Sequence, residues 1–277
     1  MCEGIDLTSK VAIVKSDING ETKSLAEALR LIDGIDDLNT SERAVVVKVG
    51  VFRHKADNHT SISVVNAIID SFSKAPRVFL AESDNYQGSG LERLQIWKEL
   101  FTEQVLPVNL SDLEDAKEVT LAGENMKLSS VLFKPNVLVD THILRTFEKG
   151  SILKNLFGCI PMRKKAKYHK ILPTLLADVY EAIGGIDLSV MDGTYLWRGA
   201  GGPRVPMNLI LVGKDAVAVE TVGAVLAGLK PEKVPVIQEF VRRGLGVGDL
   251  EEIEAVGMPF ESLQEECKSA LKALRKK

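Results

Sequence analysis

A chain of 277 residues with 45% apolar and 26% charged side chains can bury a sizeable core without staples. Its net charge of −3 and 5% aromatic content argue against a nucleic-acid partner, which calls for a basic excess and stacking rings. Three cysteines without CxxC spacing (Cys2, Cys159, Cys267) exclude a disulfide framework and a self-contained zinc or iron–sulfur site, and no leader-like or bilayer-spanning apolar run occurs, so no membrane partner and a cytoplasmic location are expected.

In chain order, residues 11–14 form a first strand-like run, and residues 21–32 follow with helical spacing at Leu25, Ala28, Leu29 and Ile32. Residues 44–47 are a short β-branched run suited to a buried parallel strand. Thr60 or Ser61 would cap a helix to Ser73, residues 78–81 form a third strand, residues 90–104 a helix and residues 106–110 a short strand. Residues 118–122 and 126–132 around Gly123-Glu-Asn suggest a hairpin. Residues 137–144, 188–191 and 209–212 resume the strand pattern, with helices near 172–183, 216–226, 234–243 and 261–274. The alternation predicts one α/β domain over residues 1–277: a mostly parallel, Rossmann-like sheet with helices on both faces, and a small hairpin-containing lobe at 111–136.

Ligands of such sheets bind beyond the carboxyl ends of the strands. There the sequence delivers Lys48, Glu82, Asp140 with His142, and Asp192. All four histidines (His54, His59, His142, His169) fall in expected loops or at strand ends, and imidazole suits proton transfer or ligation of a borderline metal. His142 and His169 flank Lys154, Asn155 and Cys159; between Gly150 and Gly158 one or two helical turns would present Lys154 and Asn155. That lysine would hold an anion, or act as a base or Schiff-base former if buried; the alternative is a solvated surface turn. The run from Arg163 to Lys170 reads either as a solvated face or as an electropositive mouth for an acidic substrate. Residues 192–203 form a glycine-rich stretch in which Gly201 and Gly202 permit close backbone approach to a ligand, unless it is an ordinary connection. P-loop, GxSxG and HExxH signatures are absent.

These residues resemble the family of the domain of unknown function 362: Val11 to Ser16, Val45 to Lys48, Ala81-Glu-Ser83, Thr141-His142, Lys154-Asn-Leu-Phe-Gly-Cys159, His169, Asp192-Gly193, Gly201-Gly-Pro203 and Lys214 to Val219. The family resemblance implies no settled activity, and the cysteine-rich ferredoxin module of many members is missing here. A second, distant similarity is to nickel-pincer lactate racemase, where a histidine, a lysine and a second histidine follow in the order of His142, Lys154 and His169; there the lysine carries the cofactor and a histidine ligates nickel.

The expectation is an enzyme acting on a small anionic metabolite by acid/base, isomerase- or racemase-like chemistry. His142, Lys154, His169 and Asp192 would be the catalytic groups, and Lys48, Asn155, Arg163, Gly201 and Gly202 the substrate-binding groups. A divalent metal ion on His142 and His169 is a candidate cofactor. The alternative is a non-catalytic redox or maturation partner of an iron–sulfur protein, working through Cys159.

Overall fold

The triple-valine run of β2 (Val45–Lys48) is buried on both sides, as a central parallel strand requires. In the computed structural model, which describes residues 9–16, 20–52 and 56–275, this strand sits in an eight-stranded sheet. The others are β1 (Ser9–Lys15), β3 (Val78–Glu82), β4 (Val105–Asn109), β7 (Val137–Thr146), β8 (Leu188–Arg198), β9 (Arg204–Gly213) and β10 (Ile253–Gly257), in the order β10-β1-β9-β8-β7-β2-β3-β4. Only β9 runs antiparallel to its neighbours. The remaining strands, β5 (Ala116–Leu121) and β6 (Glu124–Ser129), form a separate hairpin.

Alternation along the strands splits the core in two. Ala12 and Val14 of β1, with Val45 and Val47 of β2, pack beneath α1 (Glu21–Leu31) and α2 (Ile62–Ser71). Val11, Ile13, Val46 and Leu138 face the other side. There they meet α4 (Ile152–Asn155), α5 (Leu172–Ile183), α6 (Ala216–Leu226), α7 (Pro235–Arg242) and α8 (Phe260–Arg275). Helices on both faces of a mostly parallel sheet are the expected α/β architecture. The hairpin is tied to α5, where the Asp178 carboxylate accepts from the Ala122 amide at 2.6 Å.

Three expectations change. The helix over 90–104 is only α3 (Gly90–Leu94), followed by a 3-10 turn kinked at Trp97 (φ −103, ψ 18). The fully buried Trp97 indole donates to the Thr60 carbonyl at 3.2 Å, and that contact sets the kink. Second, most of the glycine-rich stretch is strand: β8 continues to Arg198 and β9 starts at Arg204, leaving a tight turn between them. Arg204 stacks on Tyr195 and Trp197 at 4.3 and 4.8 Å, which extends the pairing across the hairpin. Third, β10 is a short edge strand that the periodicity did not suggest. His54, Arg53, Lys55 and Cys2 lie outside the described residues.

Candidate functional site

The chain leaves β2 toward β3 and β4 on one side and returns to β7 on the other, so strand order reverses between β2 and β7. Crevices form at such switch points. In register there are Lys48 of β2, Ala81 of β3 and Asp140 of β7.

Lys48 is fully buried. Its ammonium donates to Glu82 Oε2 at 2.9 Å, Asn155 Oδ1 at 3.0 Å and the Val49 carbonyl at 3.0 Å. The Glu82 carboxylate also receives Arg93 at 2.9 Å and the Ser83 amide at 2.8 Å, and these cations hold its pKa down against burial. Asp140 has no such escort. Burial drives its pKa well up, with the Lys48 charge and Asn155 opposing and Glu220 and Glu82 adding to the rise. The Asn155 amide donates to Asp140, the Lys48 carbonyl and the Thr141 carbonyl, pinning α4 across two strands. The absent side chain of Gly158 makes room for this cluster: a Cβ there would lie 2.7 Å from Lys48 Nζ.

Above the cluster opens a cavity of about 520 Å³. Its lining includes His142, Lys154, Asn155, Arg163 and His169, so two expected imidazoles and the expected ammonium meet in one place. The His142 Nδ1 accepts from the Ile143 amide at 2.7 Å, which leaves the ring proton on Nε2. Burial, then Arg145, Lys48 and Lys154, holds this imidazole well below its usual pKa and therefore neutral. His169 is exposed and stacks edge-on against Phe157 at 5.5 Å. Its Nδ1 lies 3.1 Å from the Ala166 carbonyl, so Nδ1 donates and a neutral ring presents the Nε2 lone pair. Lys154 is half-buried, with its ammonium 4.0 Å from the Phe157 ring centre. Burial, then Arg145, Lys165, Lys149 and Lys48, holds this amine well below the ordinary lysine range.

Three cavity residues were not anticipated in these roles. Arg145, on the extended end of β7, is buried and bonded to Ser151 Oγ at 3.0 Å and the Gly150 carbonyl at 2.8 Å. Burial brings its pKa down to about 10. Arg93 lines the wall with its Nε buried and unpartnered. Lys165, which the sequence shows only as part of a charge run, is buried, bonded to Ser83 Oγ at 2.9 Å, and lowered to about 8, chiefly by burial. A polar residue in a strand extension hints at Arg145; nothing in the sequence locates Arg93.

Other expected site residues lie elsewhere. Asp192 pairs in register with Ile143, not His142, and alternation turns the two to opposite faces of the sheet. Its carboxylate accepts from the Ser61 and Thr194 amides at 2.7 and 2.9 Å, beside a separate cleft of about 280 Å³. Gly201 and Gly202 line neither cavity; they close the β8–β9 turn, where a Cβ on Gly201 would strike Asn58 Nδ2 at 2.4 Å. Lys48 is absent from the lining and committed to its ion pair. Arg163, at the rim, is paired with Asp84 at 3.1 Å. The Cys159 thiol is fully buried and pushed up to about 12, so it is a core group and not a surface ligand.

The described side chains of this cavity do not fit a divalent ion shared by His142 and His169. With its Nδ1 engaged and Nε2 protonated, neutral His142 has no lone pair to offer, and its neighbours are cations. Among the described residues, no group of three or more His, Cys, Asp or Glu is arranged for a metal.

Residues 45–225 match the family described as Domain of unknown function (DUF362). The Thylakoid-associated protein sll1697 of Synechocystis sp. is 28% identical over 145 residues, covering 49% of this chain and 44% of that protein. The chain thus spans less than half the length of that relative. No solved structure gives a significant match. No helix among the described residues is long and apolar enough to cross a membrane.

Proposed function

We propose that this chain, which belongs to the DUF362 family, is an enzyme that binds a small anionic metabolite in the cavity at the β2–β7 switch and moves a proton there. One observation carries the reading: among the described lining side chains seven are Arg or Lys and one is an acid, Glu82, already neutralised by Lys48 and Arg93. Such a surplus in a half-enclosed space draws in a carboxylate or phosphate. Arg145 and Arg163 are the anchors for its charge.

The proton chemistry falls to three groups. Lys154 supplies an amine held well below the ordinary lysine range by burial and neighbouring cations; His142 offers an Nε2–H donor without becoming charged; His169 offers an Nε2 lone pair at the mouth. A donor and a base on one cavity are what an isomerase- or racemase-type proton transfer needs. No step here uses a metal.

The test is titration calorimetry of the full chain against a panel of small carboxylates and phosphates at low salt. Binding of at least one compound is expected, weakened by added salt and lost in Arg145→Met and Lys154→Met. Failure of every anion to bind at low salt would overturn the reading.

A further inference from the structure

We infer that the cavity takes a 2-oxo acid with an apolar or aromatic tail, and that the Lys154 amine joins its carbonyl carbon as an imine. The inference rests on the reading of the cavity as a small-anion site and adds the electrophile.

Two buried lysines, Lys48 and Lys165, and the half-buried Lys154 lie at the cavity floor, and their partners differ. Lys48 has all three ammonium protons committed, to Glu82, Asn155 and Val49. Lys165 donates to Ser83 Oγ and to the Phe157 carbonyl at 3.0 Å. Lys154 has no hydrogen-bond acceptor and no carboxylate partner among the described residues, only the face of Phe157. Lys165 approaches the same ring, at 5.6 Å. Thus one cation keeps its protons for its acceptors, while its neighbour has only an aromatic face, and no acceptor, to hold a charged head. A desolvated amine beside fixed cations is how a lysine becomes nucleophilic, and the depressed basicity of Lys154 agrees.

The remaining lining selects the partner. A carboxylate next to the carbonyl would meet Arg145, whose Nη1 is uncommitted among the described residues. Phe52, Phe147, Phe157 and the exposed ring of Tyr86 supply aromatic wall. A three-carbon acid would leave most of about 520 Å³ unfilled, so the tail is apolar and of ring size.

The step balances without a further reactant. The Lys154 lone pair adds to the carbonyl carbon, forming C–N as the C=O π pair moves to oxygen. That oxygen collects the two amine protons, carried by the His169 Nε2 lone pair, while the His142 Nε2–H donates a hydrogen bond to the developing oxyanion. The C–O bond then breaks, and one water leaves for each imine formed.

The experiment incubates the full native chain with phenylpyruvate or pyruvate plus cyanoborohydride, which reduces the imine to a stable amine, and reads intact mass followed by peptide mapping. A single adduct on Lys154 is expected, heavier by the acid less one oxygen atom, faster with phenylpyruvate than with pyruvate, and lost in Lys154→Arg. Calorimetry with phenylpyruvate runs in parallel. Binding without an adduct, or adducts spread over surface lysines, overturns the imine and leaves the anion site standing. Absence of both binding and adduct overturns the two together. Because the mapping is made on the native chain, a poorly folded variant does not decide the outcome.

Discussion

Gly158→Ala sets two opposing effects against each other. The Gly158 backbone is outside the left-handed region, so alanine is conformationally admissible and would stabilise by roughly 0.4–1 kcal/mol through the unfolded chain. Against this, the new Cβ would lie 2.7 Å from both Cε and Nζ of Lys48 and 2.9 Å from Glu82 Oε1. Lys48 cannot swing aside without giving up bonds to Glu82, Asn155 and Val49. Overpacking costs about 1–3 kcal/mol, and losing one charged hydrogen bond costs about 1.5–3 kcal/mol more. The clash wins, and a net destabilisation of about 2–5 kcal/mol is expected. Urea unfolding should show a lower midpoint with an unchanged slope. In a Lys48→Ala background the two closest clashes are gone and only Glu82 Oε1 at 2.9 Å remains, so most of its cost should vanish. A Gly158→Ala protein as stable as the parent would refute the reasoning about this cluster.

The unfolded chain protonates His142 near ~6.5, whereas the folded chain keeps it neutral to much lower pH. Unfolding therefore takes up a proton below that value, and stability falls as pH drops through it; this part of the loss should be missing in His142→Gln, measured by thermal melts across pH. Asp192→Ala orphans the half-buried amides of Ser61 and Thr194 and should cost about 1–2 kcal/mol while leaving anion binding in the main cavity unchanged by calorimetry. Cys159 should resist a thiol reagent in the native protein and react only on unfolding, as its burial and pKa of about 12 require; rapid native labelling would contradict this.

Elements whose residues report their own surroundings were legible in the sequence. The valines of β2 and the capped, one-sided helix α2 are local patterns, and the structure keeps both. The meeting of His142, Lys154 and His169 was foreseeable because a single strand-to-helix connection delivers all three to one sheet edge. What escaped depends on pairing across the chain. Asp192 follows its strand just as His142 follows its own, yet a one-residue difference in register turns it to the other face. Arg93 comes from a helix and lies 49 positions before His142, and it is held at the wall by Glu82 and by the Ser83 and Val51 carbonyls. The length of β8 and β9 was hidden because glycines mark the turn without saying how far pairing runs on either side.

Glu220 lies on α6, yet its carboxylate grips the Ser151 amide through both oxygens and the Leu153 amide at 2.9 Å, in the turn that leads directly into Lys154. The segment bearing the amine is thus anchored from the interior by a core helix. The residues at the mouth, Arg163, Lys164 and His169, belong to a separate exposed stretch. Rim and reactive group meet at the Phe157 ring, which His169 touches edge-on and Lys154 faces, so a change at the mouth reaches the amine through that ring while Glu220 holds its backbone fixed.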